Sequence, residues 1–446
     1  MSFIDKFLKA TSVDQAVKFA LLSKIWLLFS GPITLYLISL YLTPIIQGFY
    51  YTILSLIALQ VFMELGFYLV ITQFASHEWA NLDIDDSGSI IGNPSSLSRL
   101  ISLGRLVFKW YAVASGLFII LIGTIGYYFL SNKADTSISW VAPWLTLMIL
   151  SGLQLWMLPF QSILEGCNQV ANVYKFRLIQ SVLSALVMWI ILYLDGGLWI
   201  VVASTGSGLI VNITFFSTKY FNFFKTFFSF EPAERILWQT EILPMQWRLA
   251  LGGIVGYFMY SLFTPIVFHY HGPVAAGKMG MTWQIVGALG PLAMAWIDTK
   301  TPIWGMLIAK KRYSELDQSF YRASGVSIAV ISLGALIVGF AVYGLNCYQH
   351  PLAQRILAPF PFALFLLGMV VTHFSGCLSS YIRAHKKEPF LYVNIGSGIF
   401  TGLLLWILVS KFGSNGAGAT YLLVALVSLP FTLNIFLRCR NEWHKE

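Results

Sequence analysis

The chain alternates long apolar runs with short polar connections. Twelve of these runs approach or exceed the roughly 20 mainly apolar residues that a membrane-crossing helix requires. They lie near 19–42, 47–74, 106–130, 140–163, 174–194, 197–218, 245–268, 279–308, 322–345, 358–380, 389–409 and 416–437. Transmembrane strands are a poor alternative, because they would alternate in units of about ten residues. The pattern therefore predicts an all-α integral membrane protein with twelve transmembrane helices. The first run is expected to stay as a helix, since Lys6, Lys9, Lys18 and Lys24 precede or enter a stretch too long for the core of a signal peptide.

Composition supports the pattern. Apolar residues make up 57%, aromatic ones 16% and charged ones 11%, with a mean hydropathy of +0.73. A soluble domain carries about 25% charged residues, and a disordered chain is poor in aromatics. Of 28 Lys and Arg, only Lys133, Lys278, Arg355 and Lys411 fall in one alternate set of connections, and the other 24 lie in the opposite set, at the termini or at adjoining helix ends. Positive residues are retained on the cytoplasmic side. Six helices before and six after the 219–244 connection then place both termini in the cytoplasm. This asymmetry accounts for the net charge of +9, so no nucleic-acid partner is expected. The cysteines Cys167, Cys347, Cys377 and Cys439 show no CxxC spacing and read as ordinary thiols.

The expected organisation is a six-helix lobe over 1–218, a cytoplasmic linker over 219–244 and a second six-helix lobe over 245–446. Residues 76–100, with Asp83, Asp85 and Asp86, read as a flexible acidic loop. The Phe-rich part of 219–244 reads as an interfacial helix, and so does the N-terminus, where Phe3, Phe7 and Leu8 alternate with Asp5, Lys6 and Lys9. Pro44-x-x-x-Gly48 and Pro273-x-x-x-Gly277 are offset by 229 residues and open the second and eighth helices, as an internal repeat would.

These residues carry a family resemblance. The stretch from Leu42 to Tyr50, the Met63-Glu64-Leu65-Gly66-Phe67 turn and Ile71-Thr72-Gln73-Phe74-Ala75 resemble the Wzx-type O-antigen flippases, the polysaccharide-transporter branch of the multidrug/oligosaccharidyl-lipid/polysaccharide (MOP) exporter superfamily. Softer echoes are Gly277 to Trp296 with the basic exit Lys310-Lys311-Arg312, and Leu164-Glu165-Gly166 followed by Arg177-Leu178-Ile179-Gln180. Gln73 departs from the pattern, standing where many relatives have a basic residue. Twelve helices disfavour the lipid II flippases, which usually carry two more. The resemblance implies a MATE-like pair of lobes around a central cavity. It also implies a cargo, an undecaprenyl-pyrophosphate-linked oligosaccharide (an O-antigen repeat unit), moved from the cytoplasmic to the periplasmic leaflet of a bacterial inner membrane. Membrane lipids, an O-antigen polymerase and a chain-length regulator are the implied partners.

Such a cargo needs cations for its phosphates and hydrogen-bonding groups for its sugars, because each unpartnered hydroxyl in hydrocarbon costs several kcal/mol. Embedded charges are therefore the first candidates. Lys24 lies about 9 Å beyond Lys18 along its helix, and Arg248 lies in the first turns of the seventh; both either enter a cavity or snorkel to the headgroups. Asp298 and Lys300 lie about 15 Å deep. Trp296, Lys300 and Trp304 share an i,i+4 face suited to sugar rings and an anion, with Pro302 as a kink, the alternative being an interfacial belt. Gln60 with Glu64, and Gln154 with Gln161 and Glu165, form two further stripes, which either hold helices together or line the path.

No metal site, cofactor or catalytic residue is expected. Coupling to a proton or sodium gradient is left open, with Glu64, Glu165 and Asp298 as candidates. His269 and His271 suit an outer-loop role, and His373 an interhelical hydrogen bond. The alternatives to a flippase are an integral-membrane O-antigen polymerase or ligase, disfavoured because the outer connections reach only about ten to thirteen residues, and a multidrug exporter of the same superfamily.

Overall fold

The computed structural model describes residues 15–133, 138–385 and 387–444. The candidate surface segment at Phe3, Phe7 and Leu8 lies outside the described residues. Ten helices among those described are long and apolar enough to cross a membrane. Two of them double back. The helix Phe263–Asp298 is interrupted at Gly272 (φ 79°), and Leu391–Trp443 at Gly413 (φ 57°), a backbone region that glycine enters without steric cost. Trp283 stacks on Phe263, and the face holding Tyr392 and Phe400 meets Val424 and Phe431, so each interruption is a hairpin. Splitting at these glycines gives twelve spans. The outward faces are apolar, with Ile210, Leu336 and Phe340 exposed, as contact with lipid requires. The protein is a multi-pass membrane protein.

Several boundaries differ from the hydropathy pattern. The third span begins at Pro94, where the Asn93 side chain accepts hydrogen bonds from the Ser95 and Ser96 amides. The fifth span begins at Val170. The second runs over Pro44–Ile57, tightens over Ala58–Gln60 and ends a further turn at Glu64. Leu65 (φ 49°) and Gly66 (φ 69°) then take the left-handed conformation before the helix resumes over Phe67–Trp79. A Cβ at Gly66 would lie 2.6 Å from that of Leu249, so only glycine fits there. The expected flexible acidic loop is instead an antiparallel hairpin, β1 (Leu82–Ile84) with β2 (Ile90–Gly92). The Asp85 carboxylate closes it by accepting from the Ser87 hydroxyl (2.6 Å) and the Ser89 amide (2.8 Å). These bonds hold Asp85 below the usual carboxylate range. The Phe-rich linker contains the helix Phe221–Ser229, which buries Phe223, Phe224 and Phe227. Arg105 donates to the carbonyls of Phe227 and Phe230 at its end.

The chain forms two compact units that interleave its halves. Unit 1 holds the described residues up to Ile46 with Leu56–Ile254; unit 2 holds Gln47–Ser55 with the residues from Val255 onward. In unit 1 the core includes Trp144, whose ring occupies the space a Cβ at Gly126 would need, and a Phe cluster around Phe108, Phe160 and Phe224. In unit 2, Phe263, Trp283, Phe365 and Tyr421 pack together, Trp283 stacked on Phe263 and edge-to-face with Phe365 and Tyr421. In unit 2 the end of the first repeated motif, Gln47 and Gly48, meets the second. A Cβ at Gly48 would stand 1.9 Å from the Pro273 carbonyl oxygen, and the buried Gln47 amide donates to the carbonyls of Gly277 (2.9 Å) and Arg355 (3.0 Å). His271 bonds the Val409 carbonyl at 2.6 Å and packs on Gly413. His373 shares a 2.7 Å hydrogen bond with Ser327.

Candidate functional site

The fourth and fifth spans, Val141–Gly166 and Val170–Tyr193, are joined by a tight turn in which Asn168 takes a left-handed φ of 59°. A turn this short brings residues on either side of it level. Arg177, about 10 Å along the fifth span, thus lies beside Gln161 and Glu165. Its guanidinium pairs with Glu165 at 2.8 Å and donates to the Gln161 carbonyl at 3.3 Å. The second span supplies a fourth member, Tyr68, whose hydroxyl accepts from Arg177 and whose ring lies 5.6 Å from the guanidinium carbon. Gly166 allows this approach, because a Cβ there would meet that of Ala75 at 2.5 Å and the Thr72 carbonyl oxygen at 2.6 Å. Gln161 extends the network by donating to Asn212 at 2.8 Å.

The site is a paired charge set in an apolar span. The Glu165 side chain is 12% exposed and that of Arg177 35%. A buried pair of this kind persists when its remaining hydrogen-bonding capacity is met; the amide and the phenol meet that of the guanidinium, while Glu165 Oε1 has the ion pair and no hydrogen bond besides. The guanidinium is a planar fork whose geometry matches carboxylate and phosphate alike.

The sequence candidates are placed as follows. In unit 1, Lys24 and Arg248 are exposed, and among the described residues neither pairs with a carboxylate. Arg248 lies over the Trp247 ring at 5.5 Å. Beside it is a cavity of about 360 Å³ walled by Trp110, Trp238 and Trp247, with Gln246 accepting from the Trp238 indole at 2.9 Å. Gln60 and Glu64 are half-buried at the break in the second span, and Gln154 is half-buried apart from the Arg177 cluster. The fourth-span stripe thus divides, with Gln161 and Glu165 entering the cluster.

In unit 2, Asp298 ends one helix and Lys300 precedes the next, Thr301–Ala309; both are exposed. Trp296 is 44% exposed, whereas Trp304 is fully buried. The Trp304 indole donates to Ser319 at 3.0 Å and packs against Phe320. The expected Trp296–Lys300–Trp304 face is therefore broken and Trp304 is a core residue. Pro302 is the physical reason: it has no backbone N–H for the Asp298 carbonyl four residues earlier, so the preceding helix ends there.

Two clusters are not legible from the hydropathy pattern. The pattern presents Arg177 only as the opening of the fifth helix, because it starts that helix at 174 instead of Val170. The signal for the cluster is a carboxylate twelve residues earlier across a short turn. The other lies in unit 2, where Asp317 accepts from the Tyr381 hydroxyl at 2.6 Å and from Arg440 at 2.5 Å, with His444 3.8 Å away. Among the described residues no group of three His, Cys, Asp or Glu side chains is placed to hold a metal.

No protein-family model matches the chain, and no curated protein does. Solved structures are similar in fold. A lipid II flippase MurJ in an inward closed conformation superposes with a TM-score of 0.63 at 13% identity, over 94% of this chain and 87% of that one. A mutant of the Vibrio cholerae MATE transporter VcmN gives 0.58 at 12% identity over 97% of this chain and 98% of that one. An inward-facing multidrug resistance MATE family transporter of the MOP superfamily gives 0.52 at 14% identity, with 96% of each chain covered. At such identities the likeness concerns the fold alone: this chain has a nearly all-helical, multi-span fold like that of these MOP-type transporters.

Proposed function

We propose that the protein is a flippase that moves an undecaprenyl-pyrophosphate-linked oligosaccharide, an O-antigen repeat unit, from the cytoplasmic to the periplasmic leaflet of a bacterial inner membrane by alternating access. Both termini would lie in the cytoplasm, and no bond is made or broken. The observation that carries this reading is a set of cations on apolar spans without carboxylate partners among the described residues: Lys24, Arg248 and Lys300. Charge embedded this way is costly and suits an anionic cargo. Arg177 adds a cation whose planar fork also matches phosphate. Exposed Trp247 and Trp296 offer faces for sugar rings. Glu64, Glu165 and Asp298 are the groups through which a proton or sodium gradient would act. An O-antigen polymerase and a chain-length regulator would use the delivered units.

The test is the leaflet occupied by lipid-linked units after deletion of the gene. An impermeant glycan-cleaving enzyme is applied to spheroplasts. Units that accumulate inside and resist cleavage are the expected result. Single units that are cleaved outside would mean translocation continues without this protein, and would favour a polymerase or ligase. A multidrug exporter is the second reading, favoured by the indole-walled cavity beside Arg248, whose aromatic and aliphatic lining suits a lipophilic compound. Unchanged handling of lipid-linked units together with drug sensitivity in the deletion strain would select it.

A further inference from the structure

The fifth span and the sixth, Trp199–Lys219, run antiparallel in unit 1 and leave a cleft of about 400 Å³ between them. Its floor is Phe176, Ile179, Ile210 and Phe215, and Lys175 and Lys219 stand at one end. Ile210 is 66% exposed, so the cleft is open along the surface of this helix pair. Measured along the fifth span it runs about 12 Å from Lys175 to Leu183.

The lysines are the unusual part. Both are exposed, Lys175 is close enough to act on the charge of Lys219, and among the described residues neither pairs with a carboxylate. Lys219 donates to Asn172 at 2.6 Å and lies 5.7 Å from the Tyr220 ring, contacts that orient the ammonium without neutralising it. Two like charges held together at the head of an apolar cleft form a complementary surface for one phosphate joined to a hydrocarbon chain.

We infer that this cleft binds an anionic glycerophospholipid of the surrounding bilayer, its phosphate between Lys175 and Lys219 and an acyl chain along the floor. A soluble anion would leave the floor bare, and a neutral phospholipid would leave the lysines uncompensated. A lipid-linked glycan shares the phosphate and the chain, but beyond the lysine end the only polar lining group is Thr214, whose hydroxyl proton is taken by the Ile210 carbonyl at 2.8 Å, too little for a set of sugar hydroxyls. The inference stands independently of the transport reading.

The experiment releases the intact purified protein from vesicles of equal phosphatidylglycerol and phosphatidylcholine into a native mass spectrometer. Retention of phosphatidylglycerol over phosphatidylcholine on the order of tenfold is expected. Lys175→Ala with Lys219→Ala should bring the two lipids to parity, and Lys175→Arg with Lys219→Arg should keep the preference. Ile210→Trp, which fills the cleft and leaves the lysines in place, should lower phosphatidylglycerol retention. Parity in the wild type, an unchanged preference in the alanine pair or unchanged retention in Ile210→Trp would overturn the inference. So would displacement of phosphatidylglycerol by an equal mole fraction of undecaprenyl pyrophosphate, which would assign the cleft to the cargo.

Discussion

Arg177 holds its charge inside a span because three other side chains meet its guanidinium. Arg177→Ala would strand Glu165, which is nearly buried. Breaking a buried pair costs about 3–5 kcal/mol; with Arg177 partly exposed, a loss of about 2 kcal/mol is expected in thermal unfolding in detergent. Adding Glu165→Gln should restore part of it, and no restoration would mean the pair is not what Arg177 contributes. Among the described residues Lys300 and Arg248 have no carboxylate partner, so their loss should act on transport: Lys300→Ala or Arg248→Ala is expected to abolish translocation while the protein still inserts. Normal transport in both variants would remove these residues from the site. A pH effect belongs to His385 and His444, at the ends of the tenth and twelfth spans, both held below the ordinary value of 6.5 chiefly by desolvation. Asp317 faces His444 and opposes that shift, while Arg440 adds to it; Lys387 also acts against the charged form of His385. The unfolded chain therefore takes up these protons at higher pH than the folded one. Their contribution is complete above about pH 6.5 and declines as pH falls through the lower folded values. The melting temperature should drop between pH 7.5 and 5.5, and drop less in His385→Asn with His444→Asn; identical slopes would overturn the assignment.

At the scale of elements, the repeated Pro-x-x-x-Gly motif is a packing device. Gly48 lets its helix touch the Pro273 carbonyl. Gly48→Ala should cost about 1–3 kcal/mol as an overpacked backbone contact. Gly252, with nothing near its Cβ position, is the control, and Gly252→Ala should be neutral or stabilising by about 1 kcal/mol. Equal losses at both positions, read from melting curves, would mean the close approach does not matter. The repeat was legible from spacing, but its purpose was not, because a contact between Gly48 and Pro273, 225 residues apart, leaves no local trace. Hydropathy located the spans and misjudged their ends, since polar first turns such as Ser95, Ser96 and Ser98 belong to the helix. That error hid Arg177. The Trp296–Lys300–Trp304 stripe failed for a related reason: helical periodicity presumes an unbroken helix, and Pro302 breaks it.

For the whole molecule, the interleaved units predict that the sequence halves are not independent. Residues after Arg235 include the start of the seventh span, which belongs to unit 1, while Gln47–Ser55 belongs to unit 2. Fragments 1–232 and 233–446 should each be degraded when expressed alone and protected when expressed together. Full protease resistance of either fragment by itself would contradict the interleaving.

The sequence by itself determined that this chain crosses a membrane, that it does so with twelve helices in a repeated arrangement, and that charge is rare enough in the spans for each embedded ion to matter. These properties follow from transfer free energies and helical rise, which act residue by residue. Tertiary structure alone decided which charges pair and which stay free. Glu165 meets Arg177 because a tight turn sets two helices side by side and Gly166 admits a third. Trp304 goes to the core because its helix restarts after Pro302. Lys175 and Lys219, far apart in the chain, become neighbours at one cleft. Pairing depends on distances between helices, and composition and periodicity do not contain them.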